Sequence, residues 1–329
     1  MSSPSSYWQQ LPHRIYDSVR PRILRANYYL GRYKSAIWLL GDGRSGTTFV
    51  ADLINYNRRY REMFEPFHPE FVKVMQGMQM HQYIRPDSSD PEFKKLASEI
   101  FSGYMVDPFT DPSSTRLIYR NLIIKDIFAN LLCCWAVRQL TQYKIRPVLL
   151  IRNPFAVALS KFNKKDWAWM TDPREFLKQK QLVNDYLQPY VDVIESVSDD
   201  YIERQIMIWS IIHYIPLKQF KAGEVYILFY ENLLANPVEE IKSLMKYTGN
   251  PVSDYVIEII LSKMQIPSRV AGESSTILQG DSPVESWKKN IGDRQFQQGM
   301  QTLKTFGLDH IYGGTSTPRV DSRSLLRDQ

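Results

Sequence analysis

Ala36-Ile37-Trp38-Leu39-Leu40-Gly41-Asp42-Gly43-Arg44-Ser45-Gly46-Thr47-Thr48-Phe49-Val50 is the stretch on which the fold turns. Its five leading apolar residues, stopped by glycine, read as a strand buried on both faces, and the apolar pattern resuming at Thr47 reads as a helix. Three glycines within the six residues 41–46 let the backbone approach an anion closely. Successive N–H groups then point inward and the helix N-terminus adds partial positive charge, which makes a phosphate-binding turn with Arg44 as its cation.

Outward from this stretch the pattern repeats. Short apolar runs at 36–40, 122–124, 148–151 and 225–229 read as buried strands, and helical patterns follow at 47–57, 127–140, 155–162 and 238–247. Strand–helix alternation predicts an α/β fold, a P-loop-like open parallel sheet flanked by helices, which binds ligands at the carboxyl ends of its strands. Two insertions near 68–107 and 170–221 read as predominantly helical and should overhang that edge, where they would set acceptor selectivity. The expected organisation is a basic, aromatic segment over 1–35, one domain over 36–312 and a flexible polar tail over 313–329.

With 43% apolar and 23% charged residues, the 329-residue chain has a globular composition rather than a disordered or fibrous one. A net charge of +6 favours anionic partners without choosing among them. The only cysteines, Cys133 and Cys134, are adjacent in an apolar stretch, so neither a disulfide framework nor metal-ligand spacing exists, and both should be buried. The start, MSSPSSYWQQLPHR, lacks a signal-peptide pattern and no apolar run reaches the ~20 residues of a membrane span, so a cytoplasmic location is expected. In the N-terminal segment Arg14, Arg20, Arg22, Arg25, Arg32 and Lys34 mix with Tyr7, Trp8, Tyr16, Tyr28 and Tyr29. A solvated helical face packed by its aromatics is the expectation, with peripheral contact to an anionic membrane as the alternative.

The spacing Gly41…Gly46 matches the nucleotide P-loop, but Thr47 stands where that loop carries lysine and Arg44 lies inside the turn instead. This argues against ATP or GTP hydrolysis. A second motif, Val148-Leu149-Leu150-Ile151-Arg152-Asn153-Pro154-Phe155-Ala156-Val157-Ala158-Leu159-Ser160, ends a buried strand in an arginine and sets a hydroxyl two turns up the next helix. Guanidinium and hydroxyl can face one phosphate there.

RSGTTF at 44–49, IRNPFAVALS at 151–160 and FYENLLANPVEEIKSLMKYTG at 229–249 together resemble the sulfotransferases that use 3′-phosphoadenosine-5′-phosphosulfate (PAPS), in the family's order and spacing, and most closely the carbohydrate type. The resemblance implies that Arg44, Ser45, Gly46, Thr47 and Thr48 hold the 5′-phosphosulfate and that Arg152 and Ser160 hold the 3′-phosphate. It further implies that Tyr230 approaches the adenine and that Phe49 replaces an adenine-stacking tryptophan. Trp287 and Lys288 resemble the late loop that closes over the 3′-phosphate, although the family's Arg-Lys-Gly is absent. PAPS would be the co-substrate, with no metal, because Arg and Lys neutralise the leaving group.

Sulfuryl transfer needs a base, positive charge on the bridging oxygen and in-line alignment. Arg44 and Lys125, the latter at a strand end, are the candidate cations. Cytosolic relatives carry a histidine shortly after the middle-strand lysine; here Lys125-Asp126-Ile127-Phe128 has none. Phe64-Glu65-Pro66-Phe67-His68 resembles instead the Glu-Pro segment of carbohydrate- and tyrosine-sulfating members, so Glu65 is the expected base, with His68 and Asp126 as alternatives. The run 161–169 interleaves Lys161, Lys164 and Lys165 with Trp167 and Trp169, a composition suited to an anionic sugar or to an ordinary loop with anchored tryptophans. The expected acceptor is a glycan or glycolipid hydroxyl or amine, and nucleic acid is not expected. A tyrosine-sulfating enzyme and a P-loop nucleotide kinase or NTPase are the alternatives.

Overall fold

The computed structural model describes residues 19–164, 167–264, 282–322 and 324–326. In chain order the principal elements are helix α1 over described residues 19–29, strand β1 (Ala36–Gly41), α2 (Thr47–Ile54), β2 (Tyr60–Phe64), α3 (Pro91–Phe101) and β3 (Asn121–Asp126). They continue with α4 (Cys133–Gln139), β4 (Ile145–Ile151), α5 (Pro154–Asn163), α6 (Tyr201–Gln219), β5 (Tyr226–Phe229), α7 (Tyr230–Ala235), α8 (Pro237–Tyr247), α9 (Asp254–Met264) and α10 (Asp293–Thr305). The strands form one parallel sheet in the order β2-β3-β1-β4-β5. β1 sits at its centre because every residue of AIWLLG is buried. Its side chains alternate between two cores, Ala36, Trp38 and Leu40 on one face and Ile37 and Leu39 on the other, as a strand's period of two requires.

The chain leaves β1 toward β2 on one side and leaves β4 toward β5 on the other. The crevice above β1 and β4 is therefore the topological switch point, where open α/β sheets take their ligands. Two caps fix the helices around it. α2 starts at Gly46 with φ 101°, a left-handed conformation natural to glycine, and a Cβ there would lie 2.8 Å from the Tyr230 ring. α5 starts where Asn153 Oδ1 accepts from the N–H of Phe155 (3.0 Å) and Ala156 (3.3 Å), with Pro154 in the first turn.

Several expectations from the sequence change. β2 was invisible to hydrophobic pattern because YREMF carries Arg61 and Glu62; Arg61 is nevertheless fully buried, paired to Asp111 at 2.8 Å and donating to the carbonyls of Gly103 and Met105. α2 stops at Ile54 rather than 57, because the Asn55 amide bonds both ways with the Tyr60 backbone (3.0 Å each) and turns the chain into β2. The helix expected over 127–140 is reduced to α4 behind a short 3-10 turn, since Asp126 binds the N–H of Phe128 at 2.7 Å and holds the chain in a turn after β3. The insertion 68–107 holds only α3 and one turn of 3-10 helix, so it is not predominantly helical; Gly77 and His81 take positive φ within it. Its counterpart, 170–221, is a chain of short helical turns ending in α6. Cys133 and Cys134 are buried and unpaired.

The segment from Gly313, expected to be a flexible tail, packs on the domain where it is described. The Thr315 carbonyl accepts from Asn153 Nδ2 (2.9 Å), Arg319 N–H donates to the Ile311 carbonyl (2.6 Å), and Leu325 and Leu326 are buried. No helix among the described residues is long and apolar enough to cross a membrane.

Candidate active site

One cavity of about 330 Å³ lies at the carboxyl ends of the strands, lined by Phe64 and Lys125 of β2 and β3 and by the segments that follow β1, β4 and β5. Its floor is the turn after β1. Ser45 is fully buried and its Oγ donates to the Asp42 carbonyl at 2.6 Å, so it shapes the turn and does not line the cavity. Arg44, Gly46, Thr47, Thr48 and Phe49 do line it. No side chain caps α2, so the first-turn N–H groups face the cavity without intrahelical partners. Arg44 holds a left-handed φ of 69°, a strained conformation for a side-chain-bearing residue, and its Nε donates to Ser160 Oγ at 3.2 Å.

Across the crevice Arg152 ends β4. Its guanidinium donates to two carbonyls, of Arg44 (2.9 Å) and Pro283 (2.7 Å), and lies over the Tyr230 ring at 4.6 Å. Nε of this largely buried cation has no hydrogen-bond partner among the described residues. Phe49 meets Tyr230 edge-on at 6.2 Å beside it. The turn after β4 is braced by Glu231, which accepts from Asn153 N–H (2.8 Å) and the Tyr312 hydroxyl (3.0 Å); burial raises the Glu231 carboxyl above its usual range.

Beneath the floor lies a network the sequence did not announce. Lys161, expected within a basic surface cluster, points inward: its Nζ is buried against both Asp42 oxygens (2.6 and 2.8 Å) and Gln205 Oε1 (3.0 Å). Burial lowers the Lys161 ammonium below its usual range, and Asp42 opposes that shift. Trp167 covers the same spot, 5.4 Å from Lys161 Nζ, and a Cβ on Gly43 would lie 2.0 Å from its ring. The sequence run Lys-Phe-Asn-Lys does not reveal this, because the partners Asp42 and Gln205 lie far off in sequence.

At the far side Glu65 and Lys125 form a buried ion pair, Lys125 Nζ to Glu65 Oε1, with the ammonium over the Phe64 ring at 4.3 Å. Glu65 also takes a left-handed φ, 46°, and its N–H donates to the Lys125 carbonyl at 2.6 Å. It therefore pairs with Lys125. The alternative bases are otherwise engaged. Asp126 is fully buried with both oxygens taken by backbone N–H of Phe67 (2.9 Å) and Phe128 (2.7 Å), and it does not line the cavity. His68 does line it, but its Nδ1 accepts from the N–H of Glu70 and Phe71, which puts the ring proton on Nε2, and burial lowers its pKa further. Beyond Glu65 the wall is aromatic: His68 stacks on Phe71 (4.5 Å) and meets Trp169 (4.8 Å) and Phe109 (5.3 Å) edge-on.

Besides Ser45, two expected residues stay outside. Trp287 is buried in a stack with Phe155 at 5.0 Å, and the Lys288 ammonium lies 3.5 Å from Glu285 at the surface; their loop reaches the cavity through Pro283 and Ser286. Tyr7, Trp8, Arg14, Tyr16, Lys165 and Asp166 lie outside the described residues. Among the described residues no group of three or more His, Cys, Asp or Glu side chains is arranged to hold a metal ion.

The family model described as "Sulfotransferase domain" matches residues 34–289, which span β1 to the late loop and every strand of the sheet. The chain belongs to the sulfotransferase family. Its activity class is accordingly PAPS-dependent sulfuryl transfer. Solved structures similar to this sulfotransferase include retinol dehydratase in complex with androsterone and inactive cofactor PAP, at 12% identity over 85% of each chain with a TM-score of 0.41. The sulfotransferase domain from the curacin biosynthetic pathway is 11% identical over 83% of this chain and 97% of that one, TM-score 0.43. Retinol dehydratase in a complex with retinol and PAP is 14% identical over 83% and 81%, TM-score 0.41. No curated protein matches the sulfotransferase's sequence.

Proposed function

We propose that this cavity transfers the sulfuryl group of PAPS to an acceptor hydroxyl, with Glu65 as the base. What carries the reading is the position of the Glu65–Lys125 pair, between the phosphate-facing turn and the aromatic wall. The first-turn N–H groups of Thr47 and Thr48 with Arg44 would hold the 5′-phosphosulfate. Arg152 and Ser160 would hold the 3′-phosphate, and Phe49 and Tyr230 would flank the adenine. PAPS supplies the sulfuryl group and leaves as adenosine 3′,5′-bisphosphate (PAP). Glu65 takes the proton of the acceptor hydroxyl as that oxygen bonds to sulfur. Lys125, released as its partner carboxylate is neutralised, joins Arg44 in offering positive charge to the bridging oxygen as the sulfur–oxygen bond breaks.

The acceptor expected from the sequence is a glycan, and the tryptophan faces would suit a sugar ring. The wall around Glu65 is nonetheless built from Phe64, Phe71, Phe109, Ile127 and Trp169, with few side chains that could bond to sugar hydroxyls. That composition favours an alcohol or phenol on an apolar scaffold, a tyrosine side chain among them.

Glu65→Gln keeps the shape of the side chain but cannot take a proton. Single-turnover transfer by the variant should fall by about 10²–10⁴-fold, while PAP affinity stays close to that of the natural protein. An acceptor panel of sugars, alkyl alcohols and phenols supplies the substrate for the assay. Near-normal transfer by the Gln variant would remove Glu65 from the mechanism.

A further inference from the structure

Four of the five most exposed large apolar side chains among the described residues lie together: Tyr29 (73%), Leu30 (70%), Leu117 (68%) and Ile118 (62%). Asn27 joins the two segments that carry them. Its Nδ2 donates to the Leu117 carbonyl (2.8 Å) and its Oδ1 accepts from Tyr119 N–H (2.9 Å), one turn of helix before Leu30. The loop is not free to fold these residues under. Tyr119 is buried, its hydroxyl accepts from Arg116 N–H at 2.7 Å, and so Leu117 and Ile118 are held outward between fixed points. Exposed apolar residues gathered in this way mark a contact surface.

The two segments that carry them hold one sign of charge. Arg22, Arg25, Arg32, Lys34, Arg116 and Arg120 are all exposed, and neither 19–41 nor 112–125 contains an aspartate or glutamate. Along α1 the exposed stripe runs Arg22, Arg25, Ala26, Tyr29, at helical spacing, while Leu24 and Asn27 face inward. Protein interfaces deplete charge at their centre and mix donors with acceptors. Apolar tips on segments whose only charges are cations fit another surface, one that is anionic outside and apolar just beneath.

We propose that this face docks on an anionic lipid bilayer, with Tyr29, Leu30, Leu117 and Ile118 entering the headgroup–acyl boundary and the cations meeting lipid phosphates and carboxylates. The patch belongs to the amino edge of the sheet: Lys34 and Ser35 N–H donate to Asn121 Oδ1, at the start of β3 (2.8 and 2.9 Å). The cavity opens at the carboxyl edge. Docking therefore leaves the cavity open to solvent, and it does not depend on how the chemistry proceeds.

The test is co-sedimentation of the full chain with vesicles, one set of phosphatidylcholine alone and one with about 30% phosphatidylserine, at about 0.1 M and about 0.5 M salt. The chain should bind the phosphatidylserine vesicles at low salt, lose at least about tenfold in affinity at high salt, and ignore phosphatidylcholine. Leu117→Ser/Ile118→Ser should weaken binding by on the order of tenfold or more, since two apolar tips no longer enter the boundary. PAP affinity by calorimetry should be unchanged in that variant, which also reports that it folds. Absence of binding to the anionic vesicles, or equal binding by the variant, overturns the proposal. So does a dimer of the natural chain that Leu117→Ser/Ile118→Ser makes monomeric, since the face would then belong to a second copy.

Discussion

Asp126 shows how a side chain that looks catalytic in sequence can be bound up with backbone groups in the fold. It ends a strand beside Lys125, as a base or metal ligand would, yet its oxygens hold Phe67 and Phe128 N–H and no solvent reaches it. Burial pushes its carboxyl up to about 7, against the opposing effect of those two N–H donors. Between the ordinary carboxylate pKa of ~3.9 and about 7, the folded state keeps a proton that the unfolded chain has released. Stability contributed here therefore falls as pH rises through that window and changes no further above it. Urea unfolding should show the natural protein losing about 2 kcal/mol between about pH 5 and about pH 7 relative to Asp126→Asn, which is less stable throughout but flatter. Parallel slopes would mean that the carboxyl does not titrate there. Residue types were legible where chemistry demands them, at Arg44, Glu65, Lys125, Arg152, Ser160 and Tyr230, which line one cavity. They misled where a residue's partner lies far off in sequence, as with Lys161 and Trp287.

Between elements, the turn after β1 and helix α5 act as one unit through Asp42 and Lys161, which are 119 positions apart. The pair is buried beneath the cavity floor, so Arg44 on the turn and Ser160 on the helix are held in mutual reach by the charges below them. Removing one partner strands the other in a site of low dielectric. Lys161→Met should cost about 3–5 kcal/mol in urea unfolding, and Asp42→Asn added to it should recover much of that loss. Losses that simply add would show the two elements to be uncoupled. The same reasoning explains why β2 escaped notice. A strand is recognised by its apolar alternation, and Arg61 satisfies burial through Asp111, fifty positions later, instead of through hydrophobicity.

At the scale of the whole molecule, the alternation of apolar runs and helical patterns was enough to give a parallel sheet, and the two anion-binding turns were enough to locate its ligand edge. Strand order was not legible, because it depends on which crossover packs where. The insertion 68–107 was misread because Gly77 and Pro86 break helical continuity that composition alone suggests, whereas 170–221 is predominantly helical as expected. The packed segment from Gly313 depends on a carbonyl contact to Asn153 that no local pattern encodes. In the proposed reading two anion sites face each other in the crevice over β1 and β4, and a nucleotide with phosphate at both ends would fill both. Calorimetry of PAP against adenosine 5′-monophosphate, on the natural protein and on Arg152→Ala, measures this directly. Charge-assisted contacts to a phosphate are worth about 1.5–3 kcal/mol, so PAP should bind the natural protein at least about tenfold more tightly than the monophosphate, and Arg152→Ala should erase that difference while leaving the monophosphate nearly unaffected. Equal affinities for the two nucleotides in the natural protein, or an equal loss of both in the variant, would contradict the account.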